Sequence, residues 1–197
     1  MGMMISRIDH ISIAVRNDEK ARRFFRKLFC AIPGASAEDP RMQYRWELMS
    51  LGDLSRLELI HPTGPDSFLN NFLKDKEAGV HHITFETPDI QKTKTYLEEN
   101  DIPFFGFREY GDFWKELFIH PRDACGVLIQ IAEFKPDEWL SPDVRLEPGR
   151  KWKVTRQTPE IELQVAHPGG GKVALTLTKE EASSLIADLK KAMDASS

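Results

Sequence analysis

The chain has 197 residues, 41% hydrophobic and 29% charged, with 12 Gly and 12 Pro, a balance that excludes collagen, coiled coil and wholesale disorder. Its 27 Lys and Arg against 31 Asp and Glu leave a net charge of −4, so no basic excess marks a nucleic-acid surface. Apolar runs fall short of the roughly 18 residues that span a bilayer, and the two cysteines, Cys30 and Cys125, lack any CxxC spacing. Membrane spans, thiolate metal sites and a disulfide framework are thereby removed, and both thiols are expected to be reduced and mostly buried. The first residues hold no apolar signal core. Met1-Gly2 with Ser6 fits a myristoylation pattern in form only, because Ser6 abuts a predicted strand. A cytoplasmic protein is expected.

Arg7 to Val15 alternates apolar and polar residues and predicts a strand. A helix follows over Asp18 to Ala31, with Ala21, Phe24, Phe25 and Leu28 at helical spacing. Gly34 to Pro40 is too rich in turn residues to read as a strand. Met42 to Ser50 and Leu54 to Ile60 read as strands joined by a turn at Leu51-Gly52-Asp53, and a helix from Asp66 to Lys74 leads onward. The pattern then repeats. Gly79 to Glu86 is a strand, and Asp89 to Asn100 a helix carrying Ile90, Thr93, Tyr96 and Leu97. Strands at Phe104–Phe107, Trp114–Ile119 and Gly126–Glu133 complete the second unit, with turns at Gly111-Asp112 and Pro121-Arg122-Asp123. A slide of 72 residues lays His10 on His82 and Glu58 on Gln130. Each unit is β-α-β-β-β or nearly so, and the fold class is α+β. Residues 1–135 form one domain, with repeats at about 6–62 and 78–134; 136–150 is a connector and 151–197 a C-terminal β-β-α appendage. Within the appendage, Thr178-Lys179-Glu180-Glu181 is a capping box opening an amphipathic helix, and His167-Pro168-Gly169-Gly170-Gly171 is a hairpin turn. That helix reads as a cover for the cleft or as a homodimer interface.

Two like units packed about a pseudo-two-fold axis would bring His10, Glu58, His82 and Gln130 together. Two imidazoles, a carboxylate and an amide oxygen suit one divalent cation (Co, Ni, Zn, Mn or Fe), which can polarise a carbonyl and ease removal of the adjacent proton. The competing reading makes the histidines hydrogen-bonded core residues and turns Glu58 to water.

Three segments carry a resemblance: Ile8-Asp9-His10-Ile11 with its helix, Gly79-Val80-His81-His82-Ile83, and Phe118-Ile119-His120-Pro121 leading to Gly126-Val127-Leu128-Ile129-Gln130. Over about residues 6–134 the chain resembles the vicinal-oxygen-chelate (glyoxalase/bleomycin resistance/dioxygenase) superfamily, and within it most nearly the methylmalonyl-CoA epimerases. The resemblance implies two βαβββ modules forming a curled mixed sheet around one metal, with ligand positions on His10, Glu58, His82 and Gln130. Epimerases usually carry Gln at the second of these positions and Glu at the fourth, so the amide and the carboxylate have exchanged places here. Glu47 lies where the epimerases keep another catalytic glutamate. With Glu58, it is expected to take and return the proton α to a thioester.

The implied function is a metal-dependent isomerase acting on a small molecule, an acyl-CoA thioester by resemblance. A glyoxalase I-like lyase and a non-catalytic small-ligand-binding protein of the same fold are the alternatives. No nucleic acid and no membrane are expected as partners. The remaining polar residues carry weaker signals: His61 and His120 read as turn residues before prolines, and His81 is expected to face away from His82.

Overall fold

A computed structural model describes residues 4–52, 55–167 and 170–195. Met1 and Gly2 of the myristoylation pattern, Asp53 and Leu54 at the first unit's turn, and Pro168 and Gly169 of the hairpin lie outside the described residues.

The first unit comprises β1 (Arg7–Val15), α1 (Asp18–Phe29), β2 (Ile32–Asp39), β3 (Tyr44–Ser50) and β4 (Arg56–Pro62). After α2 (Phe68–Phe72) the second comprises β5 (Ala78–Glu86), α3 (Ile90–Glu99), β6 (Phe105–Tyr110), β7 (Trp114–Ile119) and β8 (Ile129–Phe134). Both long helices start on a side-chain cap: Asn17 accepts the Lys20 N–H and Asp89 the Lys92 N–H. The eight strands form one sheet in the order β2-β3-β4-β1-β5-β8-β7-β6. That order is symmetric about the central antiparallel β1–β5 pair, with β4 and β8 added parallel on either side. The expected paired βαβββ modules and curled mixed sheet are what the chain forms.

β2 is a strand despite its turn-rich sequence. It lies at the sheet edge, where one side needs no ladder bonds, and its pairing with β3 breaks between Pro33 and Ser36. Cys30 and Cys125 are exposed rather than buried. Each sits in the left-handed region, φ 52 and 54, at a helix end and a tight turn that point its side chain outward.

The convex face of the sheet is apolar and covered. α1 lies on Val15, Met49 and Leu59 through Ala21 and Phe25; α3 covers Leu117 and Ile131 through Ile90 and Leu97. The concave face is apolar only at its ends. At one end Leu69 and Leu73, in and just after α2, pack on Ala14 and Ile60; at the other Trp139 packs on Leu48, Ala132 and Phe134. Between those plugs the concave face is polar.

The connector folds into two 3-10 turns, Pro136–Trp139 and Pro142–Val144. Beyond it, β9 (Trp152–Gln157), β10 (Glu160–Ala166) and β11 (Lys172–Leu177) form a separate antiparallel sheet followed by α4 (Lys179–Asp194). The appendage thus has three strands and a helix. The capping box is made in both directions between Thr178 and Glu181. No described helix is long and apolar enough to cross a membrane.

Leu117 is fully buried under α3. Leu117→Ala is expected to cost about 2–5 kcal/mol in urea unfolding, with the slope unchanged.

Candidate metal centre

The polar strip lies along the β1–β5 seam. In that pair Ile8 faces Phe85 while His10 faces Thr84, and Ser12 faces His82 while Ile13 faces Val80. Asp9 and His81 are therefore the extra residues of two β-bulges, one on each strand, at positions related by the 72-residue slide. A bulge re-aims the side chain beside it. Each bulged residue accordingly turns to the ring of the histidine that follows: Asp9 Oδ2 lies 2.7 Å from His10 Nδ1, and His81 Nδ1 lies 2.9 Å from His82 Nδ1. His81 was expected to face away from His82. The bulge breaks the strand alternation on which that expectation rests.

Asp9 is an acceptor only, so His10 carries its proton on Nδ1 and presents the Nε2 lone pair to the cleft. Arg56 anchors Asp9 through two nitrogens, Nε at 3.1 Å, and Arg7 adds a 2.7 Å contact while also bonding Glu86. Burial pushes the Asp9 carboxyl up, but the His10 bond and the Arg56 and Arg7 charges outweigh it and hold it below the usual carboxylate range. His81 is backed by Phe68, Phe72 and Lys76. Burial, with the Lys76 charge, pushes its pKa down to about 4, so it is a neutral support.

The lone pairs converge. Glu58 Oε2 stands 3.7 Å from His10 Nε2 and 3.6 Å from His82 Nε2. One ligand atom from each of the three residues lies within 4.8 Å of the others. Thr84 Oγ1 lies 2.9 Å from His10 Nε2 and donates to Gln130 Oε1 at 2.5 Å. One hydroxyl proton thus serves two acceptors, while Glu58 Oε2 is buried with no hydrogen-bond partner among the described residues. Burial pushes the Glu58 carboxyl up, with the Ser12 hydroxyl opposing. Burial likewise pushes the His82 imidazole well below its ordinary value, with a hydrogen bond to Gln130 opposing. Two imidazole nitrogens and a buried, unpaired carboxylate oxygen gathered at this spacing are a donor set for a divalent transition ion. The residues fit such a metal.

Gln130 completes the group from β8. Its Nε2 donates to Glu116 Oε2 at 2.7 Å, and the same oxygen accepts the Trp114 indole N–H at 2.8 Å. A carboxylate cannot donate, so the amide is held with its oxygen toward Thr84 and the histidines. Glu116 also lines a cleft of about 460 Å³ with His10, Glu58 and Gln130, walled by Tyr44, Trp46, Trp114 and Trp139.

Glu47 is not brought to this cleft. Alternate residues of β3 face opposite sides: Leu48 pairs Glu58 and Trp46 pairs Ile60 on the concave face, while Glu47 pairs Leu59 under α1. Its carboxylate meets Arg22 of α1 at 2.7 Å, and Arg22 continues to Asp18, which lies 3.2 Å from His61. In the second unit the position equivalent to Glu47 is Leu117, and Trp46 is matched by Glu116. Sequence reasoning missed Glu116 for that reason: the slide pairs like with like, and this carboxylate faces no carboxylate in the other copy. Period-two counting along β7 from Gln130's partner, Phe118, would have found it. Asp9 and Arg56 also escaped notice; their signal is a charge within an apolar strand, which burial requires to be paired. His120 caps the 3-10 turn Pro121–Asp123, as a turn residue does.

Comparisons with known proteins agree on the family. The model of the Glyoxalase/Bleomycin resistance protein/Dioxygenase superfamily matches residues 9–118. Ethylmalonyl-CoA/methylmalonyl-CoA epimerase of Cereibacter sphaeroides is 33% identical over 134 residues, 66% of this chain and 99% of that protein. Among solved structures, methylmalonyl-CoA epimerase from Mycobacterium tuberculosis superposes with a TM-score of 0.62 at 22% identity, over 69% of this chain and 93% of its own. A Streptomyces coelicolor methylmalonyl-CoA epimerase variant in complex with 2-nitronate-propionyl-CoA gives a TM-score of 0.58 at 26% identity, over 66% and 98%.

Arg56 is buried and stacks its guanidinium 5.2 Å over the Phe134 ring. Arg56→Ala leaves Asp9 short of its main counter-charge and is expected to destabilise the protein by about 3–5 kcal/mol at pH 7. Because the folded Asp9 carboxyl titrates below its unfolded value, its stabilisation is full above the ordinary carboxylate range and is lost as pH falls through the lowered value. Urea unfolding should show the wild-type and Arg56→Ala stabilities converging over that acid interval.

Proposed function

The chain belongs to the Glyoxalase/Bleomycin resistance protein/Dioxygenase superfamily, and from that premise we propose a metal-dependent isomerase that moves the proton α to the carbonyl of an acyl-CoA thioester. The observation that supports it most is the inward cluster of lone pairs opening onto a cleft that holds a second carboxylate, Glu116. His10, Glu58 and His82 would hold the cation, with the Gln130 amide oxygen as fourth donor. A bound divalent ion supplies Lewis acidity to the carbonyl and lowers the cost of removing the adjacent proton.

The chain's own groups then divide the rest. Glu116 is the proposed base on the second half of the sheet. Its Oε2 is occupied by Gln130 and Trp114, which leaves Oε1 to face the cleft and take a proton. Glu58, on the first half, is the proposed partner on the other side of the carbon, exchanging a proton when it is off the cation. Tyr44, Trp46 and Trp114 exclude water from the reacting carbon. Glu47, neutralised by Arg22 on the convex face, takes no part in the proton transfer. The epimerase names of the relatives, and the thioester analogue bound by the Streptomyces coelicolor enzyme, support the substrate class.

Elemental analysis of the purified protein and of His10→Ala tests the centre. About one divalent ion per chain, lost in the variant, is expected. No ion in either, with no recovery on adding Co, Ni, Zn, Mn or Fe(II), would overturn the isomerase and favour a non-catalytic binding protein. The division of labour is read by exchange of the α-proton of methylmalonyl-CoA into deuterated water. Glu116→Gln should lower the exchange rate by about 10²–10⁴-fold, and Glu47→Gln should leave it near wild type.

A further inference from the structure

Trp139, at the end of the 3-10 turn Pro136–Trp139, lies beyond residues 9–118 that match the family model, yet it walls the cleft beside His10, Glu58 and Glu116. Its ring packs against those of Phe113, Trp114 and Trp46, with centroids at 4.5, 5.0 and 5.6 Å. The side chain is 5% exposed, and its indole N–H is buried with no hydrogen-bond partner among the described residues. A buried tryptophan ordinarily finds an acceptor for that proton, and leaving it unpaired is destabilising. A group kept in that state at the wall of a cleft is a donor awaiting an acceptor from outside the chain.

The turn that carries Trp139 is gripped from two sides. On the sheet side it crosses β2 at Gly34, where a Cβ would stand 2.7 Å from the Trp139 carbonyl oxygen. On the other, the appendage presses its β10–β11 loop against the turn. A Cβ at Gly170 would stand 2.4 Å from Pro136 Cβ, and the Gly171 N–H donates to Asp137 Oδ1 at 2.7 Å. Gly170, at φ +86, also has a backbone that favours glycine. Both contacts depend on backbones approaching where a side chain would keep them apart. The appendage and the cleft are therefore joined through one four-residue turn.

We propose that the appendage holds Trp139 as the roof of the cleft, where its indole N–H bonds an acceptor oxygen of an acyl thioester whose acyl end is flat and apolar. The thioester part rests on the proposed isomerase reading. The flat, apolar part follows from the lining: Tyr44, Trp46, Phe113 and Trp114 supply aromatic surface, while Glu38, Asp39, Glu58 and Glu116, with Arg41 the one Lys or Arg and exposed at the rim, disfavour an anionic acyl end. Trp139 would act as a positioning and specificity residue, orienting the acyl group while the carboxylates move the proton.

The test is ligand titration of the full chain with its tryptophan indoles labelled with ¹⁵N, using phenylacetyl-CoA and propionyl-CoA as probes. Phe substitutions of Trp46, Trp114, Trp139 and Trp152 assign the four indole signals. Phenylacetyl-CoA should bind at least about tenfold more tightly than propionyl-CoA and move the Trp139 signal downfield as the N–H gains an acceptor. Trp139→Phe keeps an aromatic ring and removes the donor. It should weaken phenylacetyl-CoA binding about 5–20-fold with the thermal midpoint held within a few degrees, a split that a merely structural tryptophan would reverse. Asp137→Ala, which frees the Gly171 N–H from the turn, should weaken binding in the same direction. If the Trp46 and Trp114 signals respond while Trp139 stays still and Trp139→Phe binds normally, the roof is overturned and the isomerase reading stands. Tighter binding of propionyl-CoA would overturn the flat acyl class. If neither probe moves any signal, the thioester reading falls and this inference with it.

Discussion

Four polar side chains that face one another across a strand seam, His10, His82, Glu58 and Gln130, are the constraint around which the rest of this molecule is arranged. His10 Nε2, His82 Nε2, Glu58 Oε2 and Gln130 Oε1 are presented inward, and Thr84 offers a single O–H. Polar atoms packed that closely in a low-dielectric interior must be held in place by their surroundings. The means are bonds made behind each group: Asp9 behind His10, His81 behind His82 and Glu116 behind Gln130. Glu58 is backed by Ser12 on the neighbouring β1, and its Oε2 is buried without a hydrogen-bond partner among the described residues. Apolar plugs close both ends of the concave face.

Duplication explains the placement of that cluster and divergence explains its chemistry. The two bulges, the two histidines and the pairs Ser12–Glu58 and Thr84–Gln130 repeat about the seam. Everything that makes the site asymmetric is a substitution between equivalent positions. A charged Asp9 matches a neutral His81, so the two imidazoles are backed by different chemistry. Trp46 faces Glu116, so a wall on one side is matched by a carboxylate on the other. An epimerase must treat two faces of a planar carbon differently in space but alike in chemistry. On the proposed reading, a symmetric scaffold carrying one carboxylate on each half, Glu58 and Glu116, suits that demand.

Much of the fold was legible because it is periodic. The alternation in Arg7–Val15, the helical spacing of Phe25 and Leu28, and the slide that joins His10 to His82 are patterns a single sequence displays. What stayed hidden were departures from period. A bulge shifts parity by one residue, and so His81 turned from the far side of the strand to its neighbour's ring. Glu47 lies one residue from the cleft face, and without the strand register a glutamate at 47 cannot be told from one at 46. β2 was obscured because an edge strand tolerates the Pro33 and Gly34 that would disqualify an inner one. Trp139 was invisible as a cleft residue because the route of a connector depends on what it docks against, and both of its contacts, at Gly34 and Gly170, are long-range.

The exchange of amide and carboxylate between Glu58 and Gln130 becomes intelligible once Glu116 is counted. A glutamate that ligates a cation donates lone pairs to it and becomes a weaker base, whereas one held a hydrogen bond away keeps an oxygen free. Glutamine at position 130 supplies a neutral donor whose direction is fixed by the carboxylate behind it. Glu116 thereby restores to the second half of the sheet the negative charge that the amide lacks, displaced outward toward the cleft. Glu58 adds its charge on the first half, where Trp46 in place of a carboxylate leaves no other acid on the cleft face of β3. On the proposed reading each half of the sheet thus keeps one acid on the cleft, Glu58 on the first and Glu116 on the second, across an exchanged amide and carboxylate.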